Sequence, residues 1–171
     1  CHPMAGREFS GFDYAKDDLF EGASFILTPV EETDPSAVEE VRAFALSLGF
    51  GKAVVSDPEE HDRIIAATSQ LAHIVSNAYI KSPTLRHQAG FSAGSYQDLT
   101  RVAKLSEEMW TSLFLLNREA LLFEVETIIG HLSQYRDALA AGNAPELKEL
   151  LREGRILKEE DVERMAVRNQ K

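Results

Sequence analysis

Polar side chains that could line a ligand site interrupt an apolar run in residues 64–78. Ser69 and His73 are four residues apart, so on an α-helix they lie about 40° from each other on one face. Leu71 and Val75 fall on the opposite face, which is expected to pack against a core. Two interpretations follow. His73 is a core histidine bonded to a backbone carbonyl, because buried polar groups normally find partners, or this face is one wall of a polar ligand pocket.

A second candidate site is the segment 81–104, which is basic within an otherwise acidic chain. It holds four Lys or Arg residues against one acid and contains glycines, a composition typical of a place where an anion binds. Arg101 suits a carboxylate because its planar guanidinium can donate to both oxygens. The alternative is a surface ion pair between Asp98 and Arg101 on a helix, which stabilises by only about 0.2–0.5 kcal/mol.

Histidine and tryptophan supply the remaining candidates. His2 stands in a loop-like segment, where it is either solvent-exposed or a base, since histidine has a near-neutral pKa. The other histidines, His61, His87 and His131, show no ligand spacing, so no metal site is predicted. Trp110 begins a long helical stretch and is predicted to belong to a core or to a pocket wall.

Charge and cysteine content exclude several classes of protein. With 18 Lys and Arg against 28 Asp and Glu, the formal charge is −10, which disfavours nucleic-acid binding. No apolar run reaches the roughly 18 residues of a membrane span. The single cysteine, Cys1, excludes an intramolecular disulfide and fits a reducing, cytoplasmic compartment. No Gly-x-Gly-x-x-Gly fingerprint, Walker loop or nucleophile elbow is present, so the sequence itself carries no cofactor motif.

The elements that must position these residues change in type along the chain. Residues 1–22 are expected to be loop with a turn of helix near 13–20. A strand at 24–28, a helix that Asp34 caps and Gly49 closes, and a strand at 53–55 look like the tail of an α/β sheet.

From Asp57 onward the pattern is helical, and Asp57 is predicted to cap the first of these helices. Helices are predicted at 57–81, 96–104, 106–141, 143–154 and 158–171. The stretch 106–141 is apolar on more than one side, which indicates burial between layers or against another subunit.

Taken in order, several short motifs resemble the prephenate dehydrogenase family. They are His2-Pro3-Met4-Ala5-Gly6-Arg7-Glu8, Leu19-Phe20-Glu21-Gly22, Ile26-Leu27-Thr28-Pro29, Glu60-His61-Asp62, Ser69-Gln70-Leu71-Ala72-His73, Tyr96-Gln97-Asp98-Leu99-Thr100-Arg101-Val102-Ala103 and Met109-Trp110. The matches run in family order from residue 2 to about residue 123, which makes the set specific although each motif alone is weak.

The resemblance implies an enzyme that oxidises prephenate with NAD or NADP and releases CO₂ to give 4-hydroxyphenylpyruvate, in tyrosine biosynthesis. Some similar enzymes take arogenate instead and yield tyrosine. It also implies a mainly α fold in two parts. Residues 1–56 would be the strand-helix-strand tail of a truncated α/β dinucleotide-binding domain, and residues 57–171 an all-helical domain that binds substrate and forms a homodimer.

The same resemblance implies roles for individual residues. His2 matches the catalytic histidine that takes the proton of the substrate's ring hydroxyl, and Arg101 matches the arginine that holds a carboxylate. His73 matches a pocket histidine. Lesser substrate contacts are expected from Ser69, Gly94, Ser95 and Trp110.

The resemblance places the glycine fingerprint upstream of Cys1, so the chain is expected to be part of a longer protein and inactive alone. Two other functions stay open: a helical dimerisation module without catalysis, and another NAD-dependent dehydrogenase of the β-hydroxyacid type. A catalytic fragment should bring His73 and Arg101 to one cavity with His2 near its rim, whereas a structural module has no reason to do so.

Overall fold

A small three-stranded sheet begins the chain. The computed structural model describes residues 1–6 and 11–168. Its strands lie in the order β1 (His2–Pro3), β2 (Ser24–Leu27) and β3 (Lys52–Val55). β1 is antiparallel to β2, with His2 opposite Ile26, and β2 is parallel to β3. The predicted strands at 24–28 and 53–55 are confirmed, but the prediction of loop throughout residues 1–22 is wrong at His2–Pro3, and residues 7–10 lie outside the described part.

The crossover between the two parallel strands is helix α1 (Pro35–Ser47). As predicted, Asp34 caps it, with its carboxylate accepting the backbone N–H of Ser36 at 2.8 Å. This bond and the Ser36 hydroxyl bond lower the pKa of Asp34 below its ordinary value. Gly49, with φ +94°, ends the helix and returns the chain to Phe50, which is buried beside the sheet.

The next segment is a continuous helical rod that changes type in the middle. It consists of α2 (Pro58–Ile65), a π-helical turn (Ala66–Gln70) and α3 (Leu71–Tyr79). The predicted cap is confirmed, since Asp57 accepts the Glu60 N–H at 2.7 Å. The prediction of a regular α-helix over 57–81 is wrong, because residues 66–70 form the π turn. Two polar residues of the rod, Gln70 and Ser76, are buried.

The helices that follow are shorter than the apolar pattern predicts. A 3₁₀ turn (Pro83–His87) leads to α4 (Gly94–Thr100), which ends in a second 3₁₀ turn (Arg101–Ala103). The predicted single helix at 106–141 is wrong: α5 (Glu107–Leu116) and α6 (Arg118–Ala140) are separated at Asn117. The backbone of Asn117 leaves helical geometry, with φ −110° and ψ 33°.

The last helix is longer than the sequence predicts. α7 (Ala144–Arg168) runs through Gly154, where an end was predicted. Ion pairs flank that glycine, including Arg152 with Glu149 at 2.8 Å and Lys158 with Asp161 at 2.7 Å. Several such pairs offset the roughly 1 kcal/mol that glycine costs inside a helix.

The chain forms two compact units, Cys1–Glu124 and Val125–Lys171. The fold is mainly α with a small N-terminal sheet, as predicted. Within the described residues, no helix combines the length and apolar character needed to cross a membrane.

Candidate functional site

His2 is the first of three side chains that are linked by two successive hydrogen bonds. Its Nδ1 lies 2.9 Å from Nε2 of His61, and Nδ1 of His61 lies 2.8 Å from Oδ1 of Asp62. The two rings meet edge to face with centroids 5.2 Å apart. The sheet creates this contact, because β1 and β3 lie on either side of β2 and only two residues separate β3 from α2.

The surroundings of His2 favour its neutral form. Partial burial, and then the charge of neighbouring His61, lower the pKa of His2 below the ordinary histidine value. Both effects act in the same direction, since an imidazolium is penalised by desolvation and by a second cation. A neutral imidazole held in place by a hydrogen bond is what a general base requires.

A second group of side chains surrounds His73 on α3. The Nδ1 atom of His73 is 2.9 Å from the carbonyl oxygen of Ser69. Because a carbonyl can only accept, Nδ1 carries the hydrogen and the neutral ring presents a bare Nε2. The indole of Trp110 stacks on the imidazole with centroids 3.7 Å apart. The histidine–carbonyl bond of the structural interpretation is therefore present, and Nε2 still provides a polar atom for a ligand.

Arg101, Gly94 and Ser95 lie on short elements that pack against α3, the helix that carries His73. α3 packs against α4, which begins with Gly94 and Ser95, and against the 3₁₀ turn that begins with Arg101. All three residues are exposed, whereas His73, Ser69 and Trp110 are half-buried. A half-buried aromatic side chain, with exposed donors on the elements packed against α3, is a combination suited to a small anionic ligand.

The two groups lie at different positions along one rod. His61 and His73 are twelve residues apart, which corresponds to about 18 Å of helix axis. His2 contacts this rod at His61, and Trp110 contacts it at His73. The assignment of all seven residues to one substrate site stays a prediction.

A surface cleft lies elsewhere. Its volume is about 620 Å³, and none of the seven predicted residues lines it. Asp62 and Asn117 border it, together with apolar side chains that include Leu115, Leu116 and Phe123.

The sequence did not predict the contacts of three residues that pack near the candidate site residues: His61, Gln70 and Asn117. His61 was considered only as a metal ligand, but it contacts His2, from which it is separated by 59 positions. Gln70 and Asn117 had no assigned part, but Asn117 donates to Gln70 Oε1 at 2.8 Å and to the Asp62 carbonyl at 2.9 Å. The one available signal was the motif Glu60-His61-Asp62, which marked position 61 without giving its contact.

Comparison with known proteins adds an independent line of evidence. The family model described as prephenate dehydrogenase, dimerization domain, matches residues 57–153. The model described as prephenate dehydrogenase, nucleotide-binding domain, matches residues 1–55. Prephenate dehydrogenase of Bacillus subtilis is 32% identical over 154 residues, which cover 85% of this chain and 40% of the relative.

Solved structures agree in fold. Prephenate dehydrogenase of Aquifex aeolicus, in complex with hydroxyphenyl propionate and NAD⁺, gives a TM-score of 0.79 at 30% identity over 93% of this chain and 57% of that chain. Arogenate dehydrogenase of Synechocystis gives a TM-score of 0.75 at 30% identity, over 93% and 59% respectively. The chain spans about half the length of these relatives. With both family models matched in order and the fold shared, the chain belongs to the prephenate dehydrogenase family.

Proposed function

We propose that this chain supplies the substrate-binding part of an enzyme that converts prephenate to 4-hydroxyphenylpyruvate and CO₂ with a nicotinamide cofactor. The observation that carries the proposal is His2, a half-buried imidazole of lowered pKa whose Nδ1 is engaged by His61. It stands in the motif that the family resemblance assigns to the base. The family match over residues 57–153 supports the same activity.

His2 has one chemical task in this proposal. It accepts the proton of the ring hydroxyl, so the O–H bond breaks and its electron pair forms the carbonyl as hydride leaves the same carbon. The bond to the ring carboxylate then breaks, CO₂ leaves, and its electron pair moves through the ring to the carbonyl oxygen, which takes up a proton as the aromatic hydroxyl. Formation of the aromatic ring drives the reaction. A nicotinamide cofactor, when bound, supplies the hydride acceptor.

The His73 group is proposed to hold the substrate. Prephenate carries two carboxylates, which must lose water on binding, and Arg101 offsets that loss with charge-assisted hydrogen bonds. Nε2 of His73 and the indole of Trp110 provide a polar atom and an apolar wall. Backbone groups of Gly94 and Ser95 and the side chain of Ser69 complete the proposed contacts.

For the cofactor we propose only its chemical class, a nicotinamide dinucleotide. The family model for a nucleotide-binding domain at residues 1–55, and the Aquifex relative that holds NAD⁺, support NAD or NADP. The sequence contains ten glycines but no Gly-x-Gly-x-x-Gly spacing, so it offers no cradle of this type for the cofactor phosphates. We therefore assign no residue of the chain to cofactor binding and propose that the chain alone does not turn over substrate.

We also propose a division at residues 56 and 57 and a homodimer formed by residues 57–171. The two family models meet at this point, and one of them describes a dimerisation domain. Exposed apolar side chains on α6 and α7 support an apolar contact between copies. They are Ile129, Leu132, Leu139, Leu151, Leu157, Val162 and Met165.

Arogenate is the second candidate substrate. The Synechocystis relative is an arogenate dehydrogenase with a TM-score of 0.75 to this chain. Arogenate has the ring, hydroxyl and ring carboxylate of prephenate but an amino acid side chain instead of a keto acid. Direct competition between the two compounds for binding distinguishes them.

Binding is measured on the chain itself through the fluorescence of Trp110, its only tryptophan. We expect prephenate to change this fluorescence and Arg101→Ala to weaken binding about 10- to 100-fold, because a charge-assisted contact contributes about 1.5–3 kcal/mol. Arg86→Ala, also in the basic segment, is the matched control and should bind as the unsubstituted chain does. A chain that binds neither prephenate nor arogenate contradicts the proposal and favours a purely structural module.

Turnover is measured on the longer enzyme that carries this chain. We expect Arg101→Ala mainly to raise KM and His2→Asn mainly to lower kcat, by about 10²- to 10⁴-fold, because Arg101 binds substrate and His2 removes the proton. Steady-state kinetics with NAD⁺ and NADP⁺ provide the measurement. The opposite division between kcat and KM would reject these roles.

A further inference from the structure

We propose that His61 and Asp62 are positioning residues that fix which ring nitrogen of His2 carries the hydrogen. The inference rests on the proposed function in one respect, the use of His2 as the base. The observations are the two contacts from His2 Nδ1 to His61 Nε2 at 2.9 Å and from His61 Nδ1 to Asp62 Oδ1 at 2.8 Å.

The Asp62 carboxylate determines which atoms donate and which accept in these two hydrogen bonds. The carboxylate of Asp62 can only accept, so Nδ1 of His61 must carry a hydrogen. When His61 is neutral, its ring has one N–H and one lone pair, so Nε2 of His61 then carries the lone pair. A contact of 2.9 Å between two ring nitrogens requires one donor, which in the pair of neutral rings is Nδ1–H of His2. The remaining atom of His2, Nε2, is left as a bare acceptor.

This assignment gives His2 the form that the proposed reaction needs. When the substrate O–H bond breaks, the new N–H bond forms on Nε2, and Nδ1–H stays donated to His61. The positive charge that develops on His2 is met by the Asp62 carboxylate through His61. The titratable groups near His2 are His61, its neighbour Asp62, and the amino group of Cys1.

A contribution to folding does not account for the pair. The Asp62 side chain is 57% exposed, and a surface pair of this kind contributes no more than about 1 kcal/mol. The side chain of His61 is only 18% exposed, and its Nε2 forms a hydrogen bond with His2 rather than with solvent. Control of the His2 tautomer uses both contacts, as in sites where an aspartate orients a catalytic histidine.

Nitrogen NMR of the chain labelled in its histidines tests this directly, since the ¹⁵N shifts distinguish Nδ1–H from Nε2–H. Above the titration of His2, we expect Nδ1 to be protonated and Nε2 bare. Asp62→Ala and His61→Leu should each shift the population toward Nε2–H. Asp137→Ala, which removes an exposed aspartate from α6, should leave the tautomer unchanged.

In the longer enzyme, Asp62→Ala should lower kcat on the order of 10²-fold with KM unchanged. A hydrogen on Nε2 of His2 in the unsubstituted chain, or an unchanged tautomer in Asp62→Ala, overturns the inference. If His61→Leu does not fold, the exposed Asp62 still provides the test. Failure to bind prephenate with the expected tautomer present would reject the proposed function alone, whereas binding with the wrong tautomer would reject this inference alone.

Discussion

The environment of His2 gives this histidine a different pKa in the folded chain than in the unfolded chain. Burial, then the charge of His61, lower the pKa of His2 in the folded state below that in the unfolded state. The unfolded chain therefore binds more protons at mildly acidic pH. Stability from this group is complete above the unfolded-state pKa and is lost as pH falls toward the folded-state pKa.

Replacement of His2 should reduce the acid sensitivity of folding. On acidification from about pH 7 to about pH 5, we expect a smaller loss of the free energy of unfolding in His2→Gln than in the unsubstituted chain, because one titrating group is removed. Urea unfolding at a series of pH values provides the measurement.

The control for this prediction is His131→Gln, which removes an exposed histidine from α6. It should leave the pH dependence as it is in the unsubstituted chain. Equal slopes for His2→Gln and the unsubstituted chain would contradict the assigned environment of His2.

At the scale of single residues, the sequence predicts which residues are candidates for the site better than it predicts which residues they contact. Ser69 and His73 could be placed on one helical face because their relation depends only on local geometry, and their bond confirms that they are neighbours. The contact of His2 with His61 depends on strand pairing across 59 positions, for which no local pattern exists. The motif at Glu60-His61-Asp62 could mark importance but not partners.

Among the helices, the break at Asn117 has an energetic role. Its side-chain amide donates to the carbonyl of Asp62 and to Oε1 of Gln70, and Nε2 of Gln70 lies 3.3 Å from the carbonyl of Leu113. The Gln70 side chain is buried, so its amide must find protein partners. Asn117 therefore connects the start of α6 with α2 and with the π turn that precedes His73.

Removal of this amide should destabilise the chain. We expect Asn117→Ala to lower the free energy of unfolding by about 1–3 kcal/mol, because Oε1 of buried Gln70 loses its donor. In a chain of this length that corresponds to a fall in Tm of about 2–4 °C per kcal/mol. Thermal unfolding followed by circular dichroism provides the measurement.

Gln134→Ala, an exposed amide on α6, is the comparison and should change stability by less than about 0.5 kcal/mol. Asn117→Asp adds a second check, since a carboxylate keeps the shape but cannot donate. If Asn117→Ala and Gln134→Ala unfold at the same temperature, the bridging role of Asn117 is wrong.

Element ends were predictable where the signal is local. Asp34 and Asp57 cap helices with their own side chains, and both caps are confirmed. The break at Asn117 has no local breaker, because it depends on partners at Asp62 and Gln70. Gly154 gave a local end signal that is wrong, since neighbouring ion pairs and continued turns outweigh the preference of one glycine.

Many large apolar side chains of the chain are exposed rather than packed in its core. In the unit Val125–Lys171, α6 exposes Ile129, Leu132 and Leu139, which are 55%, 59% and 63% accessible. Burial of one such side chain stabilises by about 1.5–3 kcal/mol, so several together can support association. A charge of −10 on each copy opposes the contact.

The balance of these effects gives a prediction for assembly. We expect the chain to sediment as a dimer, more strongly with added salt, because salt screens the repulsion between acidic copies but leaves the apolar contribution. Leu132→Asp should raise the dissociation constant at least about 10²-fold, since a carboxylate replaces a leucine that the dimer would bury and must lose its hydration. Gln134→Asp changes the opposite side of α6 by the same charge and should remain dimeric. Sedimentation velocity over a range of concentrations gives the answer, and a monomer at every concentration, or equal association of the two variants, would reject the homodimer through this face.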